Sequence, residues 1–218
     1  MDRGELMPVA LDATKAFGRR MAEALGTTLA RHEEQSFPDG EHKARPLENV
    51  RGRDCFVVQS LYAEYDESVN DKLMKLLILC GALRDASAAH VTAVVPYLCY
   101  ARSDHKAEPG DPLTLRYVAR CFEAVGVNRV LTMDVHDLGA FQNAFRCGTD
   151  HLSARPLFVK HFAELAGDQT AVLSPDAGGM KRAERFRDAL REASGVDVST
   201  AFLEKVRTNE KLHGSAVV

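Results

Sequence analysis

Two apolar segments of this chain each lead directly into an aspartate. Residues 130–137 read VLTMDVHD, and residues 171–179 read AVLSPDAGG. Short apolar runs are typical of buried strands, and open α/β sheets bind ligands beyond the carboxyl ends of their strands. Asp134, His136 and Asp176 are therefore candidate ligands of a metal ion or a phosphate. Each aspartate taken alone is equally well explained as the cap of the helix or turn that follows it.

The second segment continues into a glycine pair and a basic helix start. Gly178 and Gly179 precede Lys181 and Arg182. Glycine lets the backbone approach a ligand closely, and a helix N-terminus favours a bound anion. We expect a phosphate-bearing ligand near this turn.

Strand-like and helix-like segments alternate along the chain, which predicts an α/β fold with a mainly parallel sheet. Residues 12–25, 70–86 and 181–193 have helical patterns. Asp111 and Pro112 predict the start of another helix, which Gly126 ends. The sequence predicts no regular element from 134 to 150, and a polar tail after a last strand at 200–205.

We expect two domains, residues 1–152 and residues 153–218. The second has only two clear strands, too few to cover its helices well. The sequence therefore predicts that the second domain is incomplete, or is completed by something outside these 218 residues.

Composition narrows the class of protein. The hydrophobic content of 45% and the charged content of 27% are typical of a globular protein. A net charge of −3 argues against a nucleic-acid partner. No signal sequence or membrane-spanning run is found, which predicts a cytoplasmic protein without a membrane partner. The five cysteines form no C-x-x-C pair, so we expect buried free thiols.

Two polar segments carry further candidate site residues. Arg102, His105 and Lys106 follow a buried strand and could grip phosphate oxygens, while Asp104 could hold a base or ribose. A solvated loop is the alternative. Residues 37–41, FPDGE, are first of all a turn signature. The chain has no Walker A sequence, no G-x-G-x-x-G and no G-x-S-x-G. These absences exclude a P-loop kinase mechanism, a dinucleotide-binding fingerprint and the usual hydrolase nucleophile elbow.

Taken together, these segments resemble one family. Residues 37–41, 48–52, 57–60, 70–74, 100–106, 131–136 and 174–179 match, in order and spacing, the motifs of ribose-phosphate pyrophosphokinase, also called phosphoribosyl pyrophosphate synthetase. The resemblance extends from about Phe37 to Arg207. It implies tandem phosphoribosyltransferase-like domains. It also implies transfer of the diphosphoryl group of MgATP to the 1-hydroxyl of ribose 5-phosphate, giving phosphoribosyl pyrophosphate and AMP.

The resemblance assigns roles by position. ATP at a neighbouring subunit would contact Phe37, Asp39 and Glu41, and the adenine and phosphates would lie along Arg102, Asp104 and His105. Asp134 and His136 would hold Mg²⁺. Asp176 would face the ribose hydroxyls or a second Mg²⁺, with Gly178 and Gly179 beside ribose 5-phosphate. Lys205 and Arg207 would act in the transition state. A shared ATP site implies a homo-oligomer, a dimer or a hexamer built from dimers.

The sequence also departs from the family. The acidic-pair loop that ends Thr-Gly-Gly-Thr or Thr-Cys-Gly-Thr and binds the 5-phosphate is not among these 218 residues, so we expect a C-terminally truncated chain with little or no activity. Acids at Glu108 and Asp111 predict that inorganic phosphate does not activate the enzyme. Arg146 makes an extra metal ligand in that stretch doubtful.

Three other hypotheses stay open at this point. The chain could be a non-catalytic homologue that binds and regulates the synthetase, although such a protein need not keep the site residues. It could be a phosphoribosyltransferase that consumes the product. It could also share the fold alone, without a ligand.

Overall fold

The computed structural model describes residues 4–208 and 211–217, with side chains described for residues 4–203. The chain divides into two compact units, Met1–Leu152 and Ser153–Val218. Among the residues described, no helix combines the length and the apolar character needed to span a bilayer.

Seven strands and four α-helices build the first unit. The strands are β1 Leu6–Ala10, β2 His32–Ser36, β3 His42–Pro46, β4 Asp54–Val58, β5 His90–Val95, β6 Arg129–Met133 and β7 Gly148–Leu152. The helices are α1 Lys15–Ala24, α2 Val69–Asp85, α3 Thr114–Ala124 and α4 Leu138–Ala144, and a 3₁₀ turn, Asp12–Thr14, precedes α1.

Five of these strands form one parallel sheet in the order β1-β4-β5-β6-β7. Its central strands are buried on both faces. In β5, Ala93 packs in the main core with α2 and α3, whereas Val94 packs on the opposite face, where Met21 of α1 lies. Burial on both faces explains why these strands have continuous apolar sequences. The predicted α/β class with a mainly parallel sheet is confirmed.

The remaining two strands, β2 and β3, form an antiparallel hairpin. The N-terminus of α2 is closed by a capping box, in which the Ser68 and Asp71 side chains each accept a hydrogen bond from the other residue's backbone N–H. Asp71 Oδ1 also lies 3.1 Å from His42 Nε2 of β3. The helix cap thus ties the hairpin to α2.

The predicted start of α3 is wrong. The helix begins at Thr114, after Asp111 and Pro112. Asp111 Oδ2 instead accepts hydrogen bonds from the backbone N–H groups of Ala107 and Glu108, at 3.1 and 2.9 Å. An aspartate can cap a loop turn as readily as a helix, and here it stabilises the loop.

The stretch from 134 to 150 is also more regular than predicted, since it contains α4 and the start of β7. Asp137 Oδ1 caps α4 by accepting a hydrogen bond from the Ala140 N–H at 2.6 Å. β7 reads GTDHL and, among the described residues, is an edge strand that pairs with β6 alone. An edge strand of this kind does not need an apolar run, so its sequence gave little sign of it.

The second unit contains α5 Arg155–Ala163, β8 Ala171–Ser174, a 3₁₀ turn Ala177–Gly179, α6 Met180–Ser194, β9 Ser199–Thr208 and β10 Lys211–Val217. β8 and β9 are parallel, and β9 and β10 are antiparallel. The prediction of a polar tail after the last strand is therefore wrong, because its backbone forms β10. Backbone pairing with β9 requires no apolar pattern.

Candidate functional site

The candidate site of the first unit lies beyond the carboxyl ends of β5 and β6. These strands are parallel neighbours, so the loops that follow them leave the sheet at the same edge. Asp104, in the loop after β5, and His136, in the turn after β6, meet there. Their Oδ2 and Nδ1 atoms are 2.8 Å apart.

Asp104 holds a second imidazole with its other oxygen. Its Oδ1 lies 2.7 Å from His105 Nδ1, and only 4% of the Asp104 side chain is exposed. Burial raises the pKa of this carboxyl, but hydrogen bonds from His136 and His105 outweigh burial, so the pKa lies below its ordinary value. Asp104 is therefore an anion at neutral pH.

Both imidazoles remain accessible on the side away from Asp104. The His105 side chain is 71% exposed and the His136 side chain is 48% exposed. Within residues 4–203, neither ring has a hydrogen-bond partner on Nε2. Each ring can therefore offer Nε2 to a ligand while Asp104 holds Nδ1.

The turn after β6 has a constrained backbone. Asp134 has φ +42°, a left-handed conformation that is uncommon outside glycine, asparagine and aspartate. The end of β7 holds the turn in place, because the Asp134 N–H donates to the Leu152 carbonyl at 2.9 Å and the Val135 N–H donates to His151 Nε2 at 3.3 Å. The turn leaves Asp134 exposed, close to His136. Sequence reasoning missed His151, since a contact across 16 residues leaves no local pattern.

The loop after β5 is anchored at both ends. The Tyr100 hydroxyl donates to Asn70 Oδ1 of α2, and the Ser103 hydroxyl lies 3.0 Å from the Thr114 hydroxyl at the start of α3. Arg102 is exposed between these anchors. Two hydrogen bonds thus anchor the loop, while Arg102 and His105 stay exposed, as the solvated-loop alternative also predicts. Thr114 is a further residue that the sequence pattern did not identify, whereas Asn70 belongs to the matching segment 70–74.

Phe37, Asp39 and Glu41 lie on the turn of the β2–β3 hairpin. The Phe37 N–H donates to the Glu41 carbonyl at 2.8 Å, and Asp39 Oδ1 accepts from the Glu41 N–H at 3.1 Å. Gly40 has φ +89°, which the turn requires. Phe37 is 38% exposed at this turn. These bonds show the predicted turn, and the aromatic ring remains accessible to a partner.

In the second unit, Asp176 acts as a cap. Its Oδ1 accepts a hydrogen bond from the Gly179 N–H at 3.0 Å, and the Ser174 hydroxyl donates to the Asp176 carbonyl at 2.7 Å. A Cβ on Gly179 would lie 2.5 Å from Ser174 Oγ, whereas one on Gly178 would lie 3.3 Å from Asp176 Oδ1. One carboxylate oxygen of Asp176 thus caps the turn, as the capping alternative predicts. The close approach of Ser174 Oγ explains why residue 179 is a glycine.

Lys205 and Arg207 lie in β9, opposite Gly214 and Leu212 of β10. Their side chains are outside the described residues. The proposed transition-state pair is therefore known here only by its backbone register.

A separate acidic cluster, missed by sequence reasoning, brings together Asp12, His32 and Glu34, whose ligand atoms lie within 4.8 Å of one another. His32 Nε2 lies 2.6 Å from Glu34 Oε1, and Lys15 Nζ lies 3.1 Å from Asp12 Oδ1. Hydrogen bonding and ion pairing within the protein account for these groups without a bound ion. Asp12 is distant in the chain from His32 and Glu34, so no spacing signal connects it with them.

Comparison with known proteins relates this chain to one family. The family model for the N-terminal domain of ribose phosphate pyrophosphokinase matches residues 6–126. A ribose-phosphate pyrophosphokinase of Fusobacterium nucleatum is 41% identical over 191 residues, which cover 87% of this chain and 57% of the relative. Ribose-phosphate pyrophosphokinase 1 of Streptococcus pneumoniae is 35% identical over 220 residues, covering 100% of this chain and 65% of the relative.

A solved structure shows the same relationship. The crystal structure of phosphoribosylpyrophosphate synthetase from Mycobacterium smegmatis has a TM-score of 0.84 and 31% sequence identity, covering 98% of this chain and 67% of that chain. This chain thus spans 57% and 65% of the length of the two sequence relatives. The matched residues include β1 to α3, with the loop that carries Arg102, Asp104 and His105. The chain belongs to the ribose-phosphate pyrophosphokinase family.

Proposed function

We propose that this chain provides the nucleotide and metal site of an enzyme that transfers the diphosphoryl group of MgATP to the 1-hydroxyl of ribose 5-phosphate. The products are phosphoribosyl pyrophosphate and AMP. The contact between Asp104 and His136 carries the proposal. It brings a loop with exposed cationic side chains to the turn with the Asp134 carboxylate, and a metal-bound triphosphate needs both.

Mg²⁺ fits the donors of this turn. It prefers oxygen ligands and is usually held by one or two carboxylates together with substrate phosphates. Asp134 offers an exposed carboxylate, and His136 offers the nitrogen that Asp104 leaves available. When bound, Mg²⁺ neutralises phosphate charge during transfer.

The chain's own cations have the complementary role. Arg102 and the protonated form of His105 would bind phosphate oxygens beside the metal, and Lys205 and Arg207 would stabilise the charge of the transferring group. Diphosphoryl transfer depends chiefly on positioning and charge stabilisation. Loss of one preorganised donor typically costs about 3 kcal/mol of barrier, or roughly a hundredfold in rate.

The two compact units, Met1–Leu152 and Ser153–Val218, would correspond to two phosphoribosyltransferase-like domains, the second in part. In the second, Asp176 would bind the ribose hydroxyls or a second Mg²⁺, with Gly178 and Gly179 beside ribose 5-phosphate. Gly178 is exposed on the 3₁₀ turn, where a glycine backbone allows close approach of a ligand. A cytoplasmic location completes the proposal.

The direct test is MgATP binding by calorimetry, followed by chromatography of AMP and phosphoribosyl pyrophosphate formed with ribose 5-phosphate. We expect the 218-residue chain to bind ATP with Mg²⁺ and to bind it much more weakly when Mg²⁺ is chelated. We expect little product, because the acidic-pair loop is not among its residues. Absence of MgATP binding would contradict the proposal. Binding to an active synthetase without MgATP binding would instead support the regulatory hypothesis.

Oligomer formation is part of the same proposal. Phe37, Asp39 and Glu41 would contact ATP held by a neighbouring subunit, in a dimer or a hexamer built from dimers. Light scattering with and without MgATP measures the oligomeric state. Calorimetry compares MgATP binding by the variant Phe37→Ala with binding by the control Phe17→Ala. The two rings are 38% and 39% exposed, so the control removes a ring of similar exposure from α1. Only Phe37→Ala should weaken MgATP binding, and a strict monomer with tight MgATP binding would exclude the shared site.

A further inference from the structure

We infer that Asp104 positions His136 and His105 for the ligand and does not itself contact ATP. The inference rests on the proposed function and changes the role that family resemblance gives to Asp104. Asp104 has little surface left for a nucleotide to contact. Both carboxylate oxygens accept hydrogen bonds from imidazoles, and only 4% of the side chain is exposed.

Asp104 also decides which nitrogen carries the proton in the His105 and His136 rings. An ionised carboxylate only accepts hydrogen bonds, so the Nδ1 atoms of both rings must carry the protons. A neutral imidazole with its proton on Nδ1 has a lone pair on Nε2. His136 is thereby held in the tautomer that can bind a metal. A carboxylate behind a ligating histidine is a recurrent arrangement that fixes both tautomer and ring orientation.

Asp104 also links the loop after β5 to the turn after β6. His105 belongs to the loop after β5, and His136 belongs to the turn after β6. One carboxylate therefore fixes the distance between a candidate phosphate-binding ring and a candidate metal-binding ring. Asp137 and Asp111, the nearby alternatives in these loops, bond to backbone N–H groups of Ala140 and of Ala107 and Glu108.

The test is Asp104→Asn, which keeps the shape of the side chain. The amide has one acceptor oxygen and one donor nitrogen. It can therefore satisfy both Nδ1 atoms only if one ring moves its proton to Nε2. Histidine ¹⁵N NMR reports this proton position directly, and His136→Ala and His105→Ala assign the signals. We expect both rings to carry the proton on Nδ1 in the unchanged chain, and at least one to change in Asp104→Asn.

Calorimetry gives the second readout. We expect Asp104→Asn to weaken ATP binding roughly 10- to 100-fold with Mg²⁺, the usual effect of losing the partner of a metal ligand. ATP binding without Mg²⁺ should weaken by a smaller factor, because it can depend on Asp104 only through His105. Asp104→Glu restores the acceptor charge and should recover part of the Mg²⁺-dependent binding.

Asp111→Asn is the matched control, because it makes the same chemical change in the same loop without touching either ring. It should leave both NMR signals unchanged. The Mg²⁺-dependent binding constant should stay within about threefold of that of the unchanged chain. Unchanged histidine signals in Asp104→Asn would overturn the inference. So would an equal loss of ATP binding with and without Mg²⁺, because that result shows no effect through the candidate metal ligand His136. If the unchanged chain binds no MgATP, the proposed function fails, and the NMR comparison still decides whether Asp104 positions the rings.

Discussion

His136 Nδ1 and Asp104 Oδ2, 32 residues apart in the chain, lie 2.8 Å from each other at the carboxyl edge of the parallel sheet. The contact joins loops that follow the neighbouring strands β5 and β6. A hydrogen bond to a largely buried, ionised carboxylate is stronger than one between neutral groups. The geometry of the candidate metal turn therefore depends on a residue of the candidate nucleotide loop.

Asp134 has a left-handed backbone and a candidate metal-binding carboxylate, and substitutions should separate their effects on stability and on ATP binding. Asparagine tolerates φ +42°, so Asp134→Asn should change the free energy of unfolding by less than about 0.5 kcal/mol. Asp134→Ala should cost about 1–2 kcal/mol, because alanine resists this conformation. Urea denaturation measures both. Both variants should lose Mg²⁺-dependent ATP binding, and equal losses of stability would contradict the argument from backbone conformation.

Gly179 and Gly178 should respond differently to a methyl group. Gly179→Ala brings Cβ to 2.5 Å from Ser174 Oγ and should cost about 1–3 kcal/mol of the free energy of unfolding, the usual range for overpacking. Gly178→Ala meets Asp176 Oδ1 at 3.3 Å and should cost less than about 1 kcal/mol. Denaturation followed by circular dichroism compares the pair. Equal effects would show that the close approach at Gly179 is not what requires glycine.

Asp71 should make stability depend on pH in the acid range. Hydrogen bonds from the Ser68 hydroxyl, from His42 and from the Ser68 N–H lower the pKa of its carboxyl from 3.8 to about 2. Since the native pKa is the lower one, this carboxylate stabilises the fold above about pH 4, and the contribution is lost as the pH falls toward about 2. Its side chain is 41% exposed, so solvent screening should keep the effect below about 1 kcal/mol.

Asp71→Asn tests this dependence. The difference in the free energy of unfolding between the unchanged chain and the variant should shrink as the pH falls from about 4 to about 2. Asp85→Asn, at the other end of α2, is the control and should not reproduce this change. A difference that stays constant across the acid range would refute the role given to the Asp71 carboxylate.

The cysteines should differ sharply in reactivity. Burial raises the pKa of the Cys55 thiol to about 11 and that of Cys99 to about 12, and it raises the pKa of Cys80 as well. These three are buried, as predicted, but Cys121 is exposed and Cys147 is half-buried. Iodoacetamide near pH 8 should therefore modify Cys121 first, because alkylation needs an accessible thiolate. Mass spectrometry with and without guanidinium measures this order, and early modification of Cys80 would contradict it.

The amino-acid sequence determined the α/β class and the positions of most helices. Apolar runs alternating with helical patterns specify these elements locally, and Gly26, Gly126 and Gly195 follow their helices in left-handed conformations. The sequence also marked Asp134, His136 and Asp104 as candidate site residues, because polar residues after buried strands lie at the binding edge of a parallel sheet. The residue types and their positions after strands were therefore enough to predict a site for a metal ion or a phosphate.

Only the tertiary structure decided how these residues are paired. The sheet order places β5 beside β6, and this brings Asp104 to His136 across 32 residues. The edge strand β7 fixes the backbone of Asp134 through Leu152 and His151. Asp176 likewise proved to cap its own turn. Sequence patterns report local conformation and burial, whereas the partner of a side chain depends on which loops the strand order brings together.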